Sequence, residues 1–133
     1  MLILQGLPAS GKSTYAKDWV NKDPKHRVRI NRDTMRLMLN PIYSMDHENL
    51  VTDILDFALD NILAHNYDVV IDNMNLSKKY VDDLEAKAKE ANYEIVIKSF
   101  KDVPLDVCIE RDSKRELSIG KSVITALHKK YIA

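Results

Sequence analysis

The chain has 133 residues, 45% hydrophobic and 30% charged, which excludes a disordered segment and predicts one domain over 1–133 with a single buried core. Lys plus Arg and Asp plus Glu number 20 each, so the basic excess of a general nucleic-acid coat protein is absent, although a local grip on one or two phosphates remains compatible. A lone cysteine (Cys108), an opening Met1–Leu4 too short for a signal peptide, and no apolar run near the roughly 18 residues of a membrane span predict a cytoplasmic protein without disulfide or membrane partner.

Strand and helix patterns alternate, which predicts an α/β fold with a parallel sheet and crossover helices. Met1 to Gln5 reads as a buried strand, and Lys12 to Asn21 as a helix with Tyr15, Ala16 and Trp19 inward. His26 to Asn31 is a second strand, followed by a short helix from Asp33 to Leu39 that Pro41 ends. Asp46 to His65 is a long helix whose apolar stripe is expected at Leu50, Ile54, Ala58 and Ile62, with Phe57 in the core. Tyr67 to Asp72 is the third strand. Ser77 to Ala91 is an amphipathic helix with Ser77 as N-cap and Val81, Leu84 and Ala88 inward. Tyr93 to Phe100 is the fourth strand. Pro104 opens a helix with Leu105, Cys108 and Ile109 as its stripe. Glu116 to Lys121 then leads to a last helix carrying Val123, Leu127 and Tyr131.

Gly6-Leu7-Pro8-Ala9-Ser10-Gly11-Lys12-Ser13 matches the P-loop pattern at every fixed position, between a strand and a helix as its mechanism requires. Glycines let successive backbone N–H groups converge on phosphate oxygens, and the helix adds its positive end. Gly6, Ala9, Ser10, Gly11, Lys12, Ser13 and Thr14 are the candidate nucleotide contacts. Lys12 should reach the β- and γ-phosphates of ATP, and the Ser13 hydroxyl should coordinate Mg²⁺.

Asn31-Arg32-Asp33-Thr34-Met35-Arg36 leaves the second strand at its carboxyl end, where ligands bind in such sheets. Asp33 and Arg36 share a helix face. A carboxylate can take the proton of an attacking hydroxyl, and a guanidinium can fork an anionic acceptor. The same spacing also suits Asp33 as a helix cap with Arg36 in solvent. Asp72, ending the third strand, fits a carboxylate holding Mg²⁺ or its water shell, or a turn residue in Asp72-Asn73-Met74-Asn75. Arg111 and Arg115 lie four apart at the end of the fifth helix, suited to transition-state charge or to a solvated helix end. Ser118-Ile119-Gly120 beyond them could move as a lid. The four histidines have no metal-ligand spacing, and no Asn-Lys-x-Asp guanine motif sits in a usable place.

The order Gly6 to Thr14, Asn31-Arg32-Asp33-x-x-Arg36, Asp72-Asn73-Met74-Asn75-Leu76, Phe100 to Pro104 and Arg111-x-Ser113-Lys114-Arg115 resembles the 5′-kinase domain of phage-type polynucleotide kinases over nearly the whole chain. The resemblance implies a P-loop kinase fold with a four-stranded parallel sheet flanked by helices and a small lid. It implies transfer of the γ-phosphoryl of ATP, with Mg²⁺, to the 5′-hydroxyl of DNA or RNA ends. Lys12 and Ser13 would bind donor phosphates and Mg²⁺, Asp33 would be the general base, Arg36 would hold the acceptor's 3′-phosphate, and Arg115 with Arg111 would contact donor phosphates. Met74 stands where the family usually has Thr, and its acidic residue falls at either of two adjacent positions, here Asp72. The 3′-phosphatase segment that often follows is not in this sequence, so a separate phosphatase or ligase partner is an expectation. A homo-oligomer and a phage origin remain open. The alternative reading is a P-loop kinase for a small molecule or a nucleoside monophosphate. A nucleotide switch without catalysis is a third, which the paired acceptor residues disfavour.

Overall fold

Residues 1–40 and 42–133 are described by a computed structural model. Strands β1 (Leu2–Gln5), β2 (Arg27–Ile30), β3 (Asp68–Ile71) and β4 (Val96–Ser99) form one parallel sheet in the order β2-β3-β1-β4. Helices α1 (Lys12–Asn21), α2 (Arg32–Leu39), α3 (Met45–Ala64), α4 (Lys78–Glu90), α5 (Leu105–Ser113) and α6 (Lys121–Tyr131) connect and follow them. The α/β fold and its four-stranded parallel sheet are therefore as expected, with each strand shorter than its apolar run. Pro41 lies outside the described residues; α2 is followed by Asn40 in extended backbone.

Alternation along β1 divides the core. Ile3 faces α3 and α4 together with Ile30, Val69 and Ile71. Leu2 and Leu4, with Val70, face Ala16 of α1, and Tyr15, Trp19 and Phe100 close that side. A third cluster of Leu7, Cys108 and Ile124 seats α5 and α6 beneath the loop after β1. β4 pairs only with β1 and is exposed along its length, as an edge strand can be.

Three helix details differ from expectation. α3 buries Val51, Leu55, Leu59 and Leu63, one residue on from the expected stripe, and Phe57 is 72% exposed. Two apolar stripes run side by side on this helix, and the sheet takes the neighbouring one. In α6 the buried residue is Ile124, while Val123 faces out. Ser77 stands at the N-cap of α4, but its side chain makes no capping hydrogen bond.

The chain runs β1 to β2 across the position of β3, and β3 to β4 across β1, so the connections leave the adjacent strands β1 and β3 in opposite directions. That is the switch point at whose carboxyl-end crevice ligands bind in open α/β sheets. The P-loop leaves β1 there, and Asp72 leaves β3 there.

Candidate active site

Gly6 to Gly11 fill the turn from β1 into α1, with Gly11 at the N-cap and Lys12, Ser13 and Thr14 in the first helical turn. The first N–H groups of that turn have no partner within the helix. Two glycines are sterically required. A Cβ on Gly6 would come within 2.7 Å of Ser10 Oγ and 2.9 Å of Phe100 Cβ, and Gly11 has φ of 105°. Ala9 also holds a left-handed φ, the kind of local strain that clusters at ligand clamps.

Lys12 is buried, and its ammonium donates to the carbonyls of Gly6 at 2.9 Å and Leu7 at 2.6 Å and to Ser10 Oγ at 3.3 Å. Burial lowers its pKa from 10.5 to about 8; Asp72 and Asp33 push it up and Arg115 pushes it down. A consequence can be measured. A bound triphosphate favours the charged lysine, so nucleotide affinity should be level below about pH 8 and fall above it. Calorimetry in two buffers of different ionisation enthalpy should read proton uptake approaching one per nucleotide above that pH. Uptake near zero throughout would mean that Lys12 is fully charged before nucleotide arrives. In the nucleotide-free protein, the Lys12 contribution to stability should rise between about pH 8 and 10.5, because there the unfolded chain binds the extra proton.

Asp72 is 1% exposed. Its Oδ2 accepts from Ser13 Oγ and from Arg29 Nε, each at 2.8 Å, and lies 2.7 Å from Arg29 Nη2 in an ion pair. Its Oδ1 is buried without a partner. A hydroxyl, a carboxylate and an orphaned carboxylate oxygen fit a hard cation that keeps several waters and takes the rest of its ligands from phosphates, as Mg²⁺ does. Among the described residues no cluster of three or more His, Cys, Asp or Glu could cage a metal, so this chain offers only part of such a shell.

α2 starts against this carboxylate. Asn31 caps the helix by accepting from the Thr34 N–H at 2.8 Å, and its Nδ2 donates to the Asp72 carbonyl at 2.6 Å. The Arg32 N–H donates to Asn73 Oδ1 at 2.8 Å. Asp33 is therefore not the cap; it sits in the first turn, exposed, and accepts from Arg36 Nη1 at 2.5 Å. Arg36 is not in solvent either. It forks onto Glu48 of α3 through Nε and Nη2, the second bond at 3.0 Å. Arg32 donates to the same carboxylate at 3.2 Å. The Arg36 guanidinium, with Arg32, holds the Glu48 carboxyl below the usual range against the effect of burial, and the Glu48 carboxylate raises the Arg36 pKa.

α5 brings Arg111 to the P-loop, since a Cβ on Gly11 would lie 3.9 Å from its Nη1. Arg115 lies just past the end of α5 and donates to Asp112 at 2.8 Å. Asp112 is almost fully buried and also accepts from the N–H groups of Ile119 and Gly120 at 3.0 and 2.9 Å. Burial pushes this carboxyl up, but those two amides and Arg115 outweigh it and hold it low. The segment expected as a lid is thus anchored to α5 at Ile119 and Gly120.

Four residues with defined places here escaped the sequence reading: Arg29, Glu48, Asp112 and Asn31 as a cap. Two carried a signal. Arg29 is a cation within a strand of the sheet, and Asp112 falls four residues after Cys108, on the apolar stripe of α5.

A strand–P-loop–helix cradle at the switch point, with a carboxylate just past the end of the neighbouring strand hydrogen-bonded to the loop's Ser13, defines a P-loop phosphotransferase. The family model described as AAA domain matches residues 1–133, and the chain belongs to that family of P-loop kinase domains. It is 26% identical to an L-seryl-tRNA(Sec) kinase of Methanococcus maripaludis over 98% of this chain and 52% of that protein. It is 28% identical to a putative bifunctional polynucleotide kinase/RNA ligase of Autographa californica nuclear polyhedrosis virus, over 99% of this chain and 21% of that protein. Among solved structures, a chain of the Pnkp1/Rnl/Hen1 RNA repair complex superposes with a TM-score of 0.83 at 31% identity, covering 98% of this chain and 43% of that one. A second structure of the Pnkp1/Rnl/Hen1 complex matches with a TM-score of 0.73. The chain spans about half or less of the length of each of these proteins. Among the described residues, no helix is long and apolar enough to cross a membrane.

Proposed function

We propose that residues 1–133 act as one kinase domain that transfers the γ-phosphoryl of ATP to the 5′-hydroxyl end of a polynucleotide. The observation that carries this reading is that α2, which bears Asp33 and Arg36, starts hydrogen-bonded through Asn31 and Arg32 to Asp72 and Asn73, with Ser13 of the P-loop on the same Asp72 carboxylate. In this reading Asp33 takes the proton as the acceptor oxygen bonds to the γ-phosphorus and ADP leaves. Lys12, Arg111 and Arg115 hold the charge that develops on the transferring oxygens. Ser13 and Asp72 would hold Mg²⁺, which when bound would neutralise phosphate charge. Arg36, whose Nε and Nη2 stay on Glu48, turns its Nη1 from Asp33 to an acceptor phosphate, which also frees the Asp33 carboxylate for the proton. The polynucleotide kinase/RNA ligase likeness and the RNA repair complex support an acceptor on a nucleic-acid end and a ligase acting beside this domain; a phosphatase partner and a cytoplasmic repair setting complete the reading. The L-seryl-tRNA(Sec) kinase likeness favours a second reading, a hydroxyl carried by an aminoacylated tRNA.

Labelled ATP offered to four acceptors separates these readings: a 5′-hydroxyl oligonucleotide, a nucleoside 3′-monophosphate, a seryl-tRNA, and a mixture of small alcohols with a nucleoside 5′-monophosphate. Label is expected in the oligonucleotide and, more weakly, in the nucleoside 3′-monophosphate. The neutral net charge predicts that few phosphates are gripped, so acceptor affinity should fall gently with salt, with a logarithmic slope of about 1 to 1.5 for one or two contacts. Label confined to seryl-tRNA or to the small acceptors overturns the polynucleotide reading.

A further inference from the structure

The hydrogen bonds to Asp72 are unevenly distributed. Ser13 Oγ, Arg29 Nε and, at 3.5 Å, Asn31 Nδ2 all donate to Oδ2, Arg29 Nη2 is ion-paired to the same oxygen, and Oδ1 has no partner. The Arg29–Asp72 pair is largely out of water, with side chains 19% and 1% exposed. Its guanidinium therefore cancels most of the carboxylate's charge where solvent screening is weak. Lys12 adds a further positive charge to the same crevice. A bare divalent cation thus meets one neutralised carboxylate and a nearby ammonium, whereas one that arrives on a triphosphate brings its own negative charge.

We propose that Arg29 is a built-in counter-ion of the metal site: it keeps Asp72 from capturing a divalent cation alone, so that the metal enters with the nucleoside triphosphate. It also holds Oδ2, leaving Oδ1 as the oxygen free for the metal's water shell. Arg29 is a positioning residue here, acting through Asp72. The inference rests on the donor-site reading and is independent of which acceptor is used.

The test is titration of Mn²⁺ into nucleotide-free protein, followed by the spin-resonance signal of the free ion, with wild type, Arg29→Met, Arg29→Lys and Arg29→Gln compared. Arg29→Met should bind Mn²⁺ on the order of tenfold tighter than wild type, from loss of one nearby positive charge. Arg29→Lys should stay at the wild-type level. The gain should vanish in an Arg29→Met/Asp72→Asn double variant. With a non-hydrolysable ATP analogue present, wild type and Arg29→Met should differ by only a few-fold. If Arg29→Met does not fold, Arg29→Gln carries the test, since it keeps a donor near Oδ2 without the charge. A merely structural role would lower the melting temperature and leave nucleotide-free Mn²⁺ affinity unchanged, and that result overturns the proposal. A failed acceptor assay with tightened Mn²⁺ binding would remove the polynucleotide reading and leave this one standing.

Discussion

Replacing Lys12 with alanine should cut turnover by two to three orders of magnitude in a protein that still folds. One donor aimed at developing charge in a dry site is worth about 2.7–4 kcal/mol of transition-state stabilisation. Lys12 has the position for this role, at the first residue of α1, with its ammonium held inside the loop. The stability change should be much smaller than the rate change, because two terms oppose. Truncation leaves the Gly6 and Leu7 carbonyls without their lysine donor, which costs about 1–3 kcal/mol if water does not replace it. Against that, burial disfavours the charged lysine, as its lowered pKa records, so removing it relieves a desolvation cost. Steady-state kinetics and a melting curve on one preparation would separate the two effects. A folded Lys12→Ala protein with a near-normal rate would remove Lys12 from the chemistry.

The second large effect is expected at Asp33. Asp33→Asn should lower kcat by about 10²–10⁴-fold, the usual contribution of a positioned base, with nucleotide binding intact. The structure sharpens this test. Asn31 accepts the capping N–H, so the asparagine variant loses no cap. Its pairing with Arg36 is exposed on the Asp33 side, and Arg36 keeps Glu48. Melting should therefore change little. A variant that loses stability and keeps its rate would assign Asp33 a structural role and leave the base to another group.

The donor half of the site could be read directly from the chain because its chemistry is local. Gly6 through Ser13 are contiguous, the left-handed φ of Gly11 and the approach of Ser10 to Gly6 arise within a few residues, and the anion-binding N–H groups belong to the helix that the loop itself starts; only the contact of Gly6 with Phe100 is made by the sheet. The spacing of Asp33 and Arg36 likewise needs only one turn of helix. The alternation of strand and helix patterns was enough for a parallel sheet, since parallel strands require crossovers.

What stayed open depended on strand order and helix rotation, neither of which local pattern encodes. Two apolar stripes on α3 are nearly equivalent along the sequence. Only packing on the sheet chose Val51, Leu55, Leu59 and Leu63 and turned Phe57 outward. The same rotation brings Glu48 to Arg36 across 12 residues. The sequence leaves Asp72 as a turn residue or a metal-site carboxylate, and its surroundings depend on β3 lying between β1 and β2. That order brings Ser13 and Arg29 together on one oxygen of its carboxylate, from 59 and 43 residues away. A contact of that range is made by the sheet, because hydrogen-bonded strands lie about 4.8 Å apart whatever their separation along the chain.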